Sequence, residues 1–242
     1  GYMPGDTESL EYAALIEWNN IYYDPKQKLL NEKKTDVRLG LVQWQMRPFK
    51  DFEALCEQVE FFVDAASGYK ADFILFPEFF HAPLMSEYNN LTEAEAIRGL
   101  AKYTEPLKEK FSQLAIAYNA NIITGSFPDL RDGKLYNIGY LCHRNGTTKE
   151  YQKIHITPGE REAWGMVGGD LLKSYDTDCG KIGILICYDV EFPELPRLLA
   201  DDGIDILFVP FLTDTQNAYS RVRYCAQARA IENEYFVAIA GC

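Results

Sequence analysis

Three polar residues of this 242-residue chain each follow a strand-like run at once, and their types suit nucleophilic and acid–base chemistry. Phe73-Ile74-Leu75-Phe76-Pro77 leads into Glu78, Glu150-Tyr151-Gln152 into Lys153, and Ile182-Gly183-Ile184-Leu185-Ile186 into Cys187. The C-terminal end of a buried strand is where α/β proteins place ligand sites. Pro77 fixes the local φ and cannot extend a central ladder, so the strand before Glu78 must stop there. A cysteine at a strand–helix junction meets backbone N–H groups that lower a thiol pKa and stabilise an anion. Plainer roles stand beside these: Glu78 as a helix cap or surface charge, Cys187 as a small buried hydrophobe, Lys153 as a solvated cation. Asp189 and Glu191 lie close to Cys187 in sequence and would raise its pKa. A working nucleophile therefore needs a cation nearby, and Lys153 meets that need only if the fold brings it close.

The elements that must position these residues alternate in type. Strands are expected over Arg38–Trp44, Phe73–Phe76, Asn121–Ser126, Asn137–Cys142, Lys181–Ile186, Ile204–Phe211 and Tyr235–Ala240, each short, apolar and bounded by turn residues, and over Thr147–Tyr151 just after the turn residues Arg144-Asn145-Gly146. Helical spacing runs through Phe52–Ala66, Glu105–Tyr118, Glu194–Ala200 and Tyr219–Glu232, with Asp51 placed to cap the first. Strand–helix alternation predicts an α/β fold with helices packed on sheet. Asn145-Gly146 between two strands predicts a hairpin, hence a mixed sheet. Residues 1–36 differ, with one helical pattern (Glu8–Tyr22) and then a polar, charged tract; an N-terminal extension or a linker is expected there, with the main domain over 37–242.

Composition narrows the function classes. Hydrophobic residues make up 47% and aromatics 14%, enough for a packed core. A formal charge of −12 repels nucleic acid phosphates and anionic lipid headgroups, so neither is an expected partner. No apolar stretch approaches the roughly 20 residues that cross a bilayer. Six cysteines without a CxxC pair fit a reducing cytosol better than a disulfide framework, and three histidines make a metal site unexpected.

FPEFF around Glu78, YQKIHITPGE around Lys153 and GILICYDVEFPE around Cys187 resemble, in order, the signature segments of the carbon–nitrogen hydrolase (nitrilase) superfamily. CAQARAIENEYFVAIAG from Cys225 is similar to the family's late helix-plus-strand motif, and GLVQWQM to its first strand. The resemblance implies a four-layer α-β-β-α sandwich, short of its last strands because the sequence ends at Cys242. It implies a Glu78–Lys153–Cys187 triad with Glu160 in support (Glu162 if the register differs), the Tyr188 backbone N–H as oxyanion donor, and His155 as structural. It implies a cytoplasmic amidase-type enzyme without metal or organic cofactor, a small linear amide as substrate, and a homodimer. Glu191 stands where many relatives carry Arg and would disfavour a substrate carboxylate, although Arg221, Arg223 or Arg229 could bind one. The opening EYAALIEWNNIYYDP resembles a branch in which an acetyltransferase domain precedes the hydrolase. Alternatives are an N-carbamoyl or nitrile hydrolase, a silent scaffold beside an acetyltransferase, and a Cys–His hydrolase using His155 or His143.

Overall fold

The computed structural model describes residues 36–242; the helical pattern at Glu8–Tyr22 and the rest of the extension up to residue 35 lie outside the described residues. Among the described residues ten strands form: β1 (Leu39–Leu41), β2 (Phe73–Leu75), β3 (Asn121–Ile123), β4 (Phe127–Arg131), β5 (Lys134–Cys142), β6 (Thr148–Gln152), β7 (Tyr175–Thr177), β8 (Gly180–Ile184), β9 (Ile206–Phe211) and β10 (Phe236–Gly241). Among the same described residues six α-helices accompany them: α1 (Phe52–Gly68), α2 (Glu93–Leu100), α3 (Thr104–Ala117), α4 (Pro158–Trp164), α5 (Glu194–Asp201) and α6 (Gln216–Asn233). Among the described residues no helix is long and apolar enough to cross a membrane.

The strands make two mixed sheets. In the first, β1, β2 and β3 run parallel, β3 and β4 pair antiparallel with successive parts of β5, and β6 takes the other edge of β5. In the second, the order is β10-β9-β8-β7, parallel but for β7. Period-two alternation sorts the side chains of these short strands between two cores. Ile74 and Phe76 join Leu55, Val59 and Val63 of α1 and Leu107, Phe111 and Leu114 of α3. Phe73 and Leu75 turn the other way, toward Ile182, Ile184 and Phe208 of the second sheet. The Phe73 and Phe208 rings meet across the sheets with centroids 5.2 Å apart. Leu195 and Leu199 of α5 and Val222 and Ala226 of α6 close the far face. The layers are therefore helix, sheet, sheet, helix, as expected.

Capping explains where the helices begin. Asp51 accepts from Ala54 N at 2.9 Å and starts α1, and Thr215 accepts from Ala218 N at 3.2 Å and starts α6 three residues before its apolar spacing does. The hairpin between β5 and β6 forms, but not as a two-residue turn. Of its residues only Gly146 has positive φ, at 89°; Asn145 instead accepts from Thr147 N at 2.9 Å, and His143 N donates to Thr147 O at 2.8 Å. The run Asn121–Ser126 also divides. Its ladder ends at Ile123, and Gly125 then turns the chain into β4, whose Pro128 and Asp129 disguise it as loop.

Candidate active site

Glu78, Lys153 and Cys187, far apart in sequence, line one pocket of about 530 Å³. Each stands just past the end of its strand. After β2, Phe76 N still bonds to Ile123 O at 2.9 Å, and Pro77 then ends the ladder. Glu78 is aimed inward by a tight approach of two loops: a Cβ on Gly125 (φ 74°) would fall 1.9 Å from Pro77 O, so only glycine fits. A Cβ on Gly139 would lie 2.2 Å from Gly125 O, and the Tyr151 hydroxyl donates to that same carbonyl. Lys153 is fixed at its backbone from both sides, its N donating to Asn137 O at 2.9 Å and its O accepting from Gly169 N at 2.8 Å. Cys187 opens a short 3₁₀ turn with φ 47°, a left-handed conformation that a non-glycine residue adopts only under strain.

The polar groups converge in a buried corner. Lys153, 2% exposed, places Nζ 2.8 Å from Glu78 Oε1 and 2.8 Å from Glu160 Oε1. Glu160 reaches this point through its own helix start. Thr157 Oγ1 accepts from Glu160 N at 3.2 Å and Glu160 Oε2 accepts from Thr157 N at 2.9 Å, a capping box that leaves Oε1 free to face the lysine. Glu162, the alternative supporting residue, is exposed. Asn137 Nδ2 donates to Glu78 Oε1 at 2.8 Å and to Glu160 Oε1 at 3.2 Å. Leu212 N donates to Glu78 Oε2 at 3.0 Å, and Cys187 Sγ lies 3.6 Å from Leu212 O.

Electrostatics assign each group a resting state. Burial raises the Glu78 carboxyl above its ordinary range, Lys153 pulls it back and Glu160 adds to the rise. Burial also opposes the Lys153 ammonium, but Glu78 and Glu160 outweigh it and hold its pKa well above that of a free lysine. The Cys187 thiol is pushed well up by burial and then by the Glu78 charge, with Lys153 and the Leu212 backbone working the other way. The corner thus sets a thiol that burial favours in its neutral form near a carboxyl whose basicity burial raises, beside an ammonium that two carboxylates favour.

Asp189, the feared neighbour of the thiol, is occupied elsewhere. It accepts from Ile154 N at 3.1 Å, from His155 N at 2.7 Å and from His155 Nδ1 at 3.0 Å, tying the segment after Lys153 to the turn after Cys187. His155 stacks on Phe192 at 3.8 Å between centroids, and neither it nor His143 lines the pocket. Phe79, Trp164, Leu212 and Val222 supply apolar walls, while Tyr188 stands beside Cys187 at the turn. Glu93, Glu191 and Asp214 bring negative charge; Arg221 brings a cation, with Nε 3.4 Å from Glu191 Oε2. Arg223 does not line the pocket. Buried Arg229 is no pocket residue either: it donates to Val190 O at 3.1 Å and Glu191 O at 3.2 Å, and braces the cysteine turn from α6.

Residues 38–242 match the family model for carbon-nitrogen hydrolases. The chain belongs to the carbon-nitrogen hydrolase family. It is 47% identical over 241 residues to "Probable hydrolase YhcX" of Bacillus subtilis, a match covering 99% of this chain and 47% of that protein. It is 29% identical over 214 residues to human "Omega-amidase NIT2", covering 85% of this chain and 74% of that one. In three dimensions it resembles Saccharomyces cerevisiae Nit3, of the nitrilase superfamily, with TM-score 0.71 and 24% identity, over 85% of this chain and 75% of that one. The chain thus spans about half the length of its Bacillus relative.

Two contributors to this polar corner are hard to see in sequence. Asn137 looks like one polar residue in a strand, and Leu212 acts through its backbone. Glu160 had an unread signal of its own, the Thr157-x-x-Glu160 spacing of a capping box with proline in the first turn.

Proposed function

We propose that this chain hydrolyses the carbon–nitrogen bond of a small linear amide through a thioester on Cys187. The observation that carries the proposal is Lys153 Nζ, buried at 2.8 Å from both Glu78 and Glu160 in the pocket that Cys187 also lines. Glu78 takes the thiol proton, and the sulfur attacks the amide carbon. An ammonium has three N–H donors; two go to carboxylates and one is left for the developing oxyanion, assisted by the Tyr188 backbone N–H. Glu78 passes its proton to the leaving nitrogen, ammonia or an amine departs, and water activated by Glu78 cleaves the thioester and restores the thiol. Glu160 holds Lys153 in place throughout.

The acidic mouth, with Arg221 already facing Glu191, favours neutral or amine-bearing amides over carboxylates. The amidase named among the relatives supports the amide class. Residues 37–242 are the hydrolase domain and 1–36 an extension; the 241-residue match to the Bacillus relative takes in nearly all of that extension. By resemblance, the domain works as a homodimer within a longer polypeptide that carries an acetyltransferase domain ahead of it. Ammonia release from a panel of small amides, ω-amides and N-carbamoyl compounds tests the activity, with Cys187→Ala in parallel. Release by the unmodified protein alone is the expected result. Equal release by Cys187→Ala contradicts the mechanism.

A further inference from the structure

Asn137 lies in β5 and is only 1% exposed, with its Nδ2 between the two carboxylates of the site. Its chemistry leaves one sensible orientation: the NH₂ end faces two carboxylate oxygens, since the carbonyl end would be repelled by both. That orientation has a cost. Asn137 Oδ1 is buried without a hydrogen-bond partner, a situation that cores optimised only for stability avoid. Glu78 and Glu160 together carry one more charge than Lys153 neutralises, and the amide supplies two further donors without adding a charge.

We propose that Asn137 is a positioning residue that saturates Oε1 of Glu78, so that Oε2 takes the thiol proton, and that favours the ionised carboxylate. This rests on Glu78 being the base. Oε1 accepts from Lys153 and Asn137, both at 2.8 Å, whereas Oε2 accepts from Leu212 N at 3.0 Å, the residue whose carbonyl the thiol approaches at 3.6 Å. The proton passes from Sγ to Oε2, the electron pair stays on sulfur, and the leaving nitrogen later receives that proton. The ionisable groups around Glu78 are Lys153, Glu160, Cys187 and Cys242, whose Sγ lies 3.5 Å from Glu78 O. A hydrogen bond to the charged form of a carboxyl lowers its pKa, so loss of the amide raises that of Glu78.

The test is the pH dependence of Cys187 alkylation by iodoacetamide, an amide-shaped electrophile, followed by intact mass and peptide mapping. Asn137→Ala is expected to move the acidic limb up by about one pH unit, a roughly tenfold slower reaction below it. Asn137→Ser, with one donor, recovers part of the shift. A folded Asn137→Ala with an unmoved limb overturns the assignment. Should Asn137→Ala not fold, Asn137→Ser decides in the same way, a shifted limb supporting and an unmoved one overturning. Glu78→Gln separates the two levels. A lost limb there with an unmoved one in Asn137→Ala sinks only the role of Asn137; a wild-type limb in Glu78→Gln removes the base, and Asn137's role with it.

Discussion

At Cys187 stability and reactivity pull apart. Its φ of 47° costs about 1–2 kcal/mol in any residue with a Cβ. Cys187→Gly should therefore be inactive yet more stable than Cys187→Ala by about 1 kcal/mol, measured by denaturant unfolding. Equal stabilities would show that the turn is not strained. Lys153 behaves differently. With 2% of its side chain exposed between two carboxylates, its removal leaves buried charge unpaired. Lys153→Ala should lose about 3–5 kcal/mol as well as activity, whereas Glu78→Gln, which brings the corner to neutrality, should lose far less. Thermal unfolding of the pair measures this. The three residues were legible in sequence because each stands at a strand end, where a reactive type is conspicuous. Asn137 was not, because a lone asparagine in a strand gives no hint of what its amide faces.

Elements carry the precision. The Gly125 corner and the Pro77 carbonyl approach so closely that Gly125→Ala should destabilise the protein by about 2–5 kcal/mol, combining left-handed strain with overpacking. In whatever fraction folds, the variant should lower turnover by misplacing Glu78. Normal stability and rate in Gly125→Ala would contradict the close approach. Most helices and strands were readable from periodicity, since their apolar faces are what the cores bury. β4, β7, α2 and α4 were not. Each is short, and β4 carries Pro128 and Asp129, so tertiary pairing with β5 decides what local propensity would refuse. In α4 the start signal was present, but a helix of seven residues offers too little periodicity to stand out.

For the molecule as a whole, two sheets pressed face to face allow alternate residues of β2 to serve two cores, and a three-residue strand suffices because both its faces are buried. That layering could be expected from family resemblance; the pairing order of the strands could not. Burial also leaves a pH liability. His81 is fully buried among Phe80 and Phe127, neither ring nitrogen has a hydrogen-bond partner, and burial pushes its pKa down to about 3. The unfolded chain binds a proton at this residue below about pH 6.5 and the folded one does not, so stability falls as pH drops from about 6.5 toward 3. Between pH 6.5 and 5 this group should contribute a loss of about 2 kcal/mol. His81→Phe should show a correspondingly shallower decline in unfolding free energy; an unchanged slope would rule the contribution out.

The central claim is that Cys187 carries the acyl group. Mass spectrometry of the protein quenched in acid during turnover of an amide tests it most directly. The expected species is the intact chain plus the substrate less ammonia or its amine, mapped to the peptide containing Cys187 and absent from Cys187→Ala. Steady turnover with no adduct on that peptide, and undiminished in Cys187→Ala, would contradict the account.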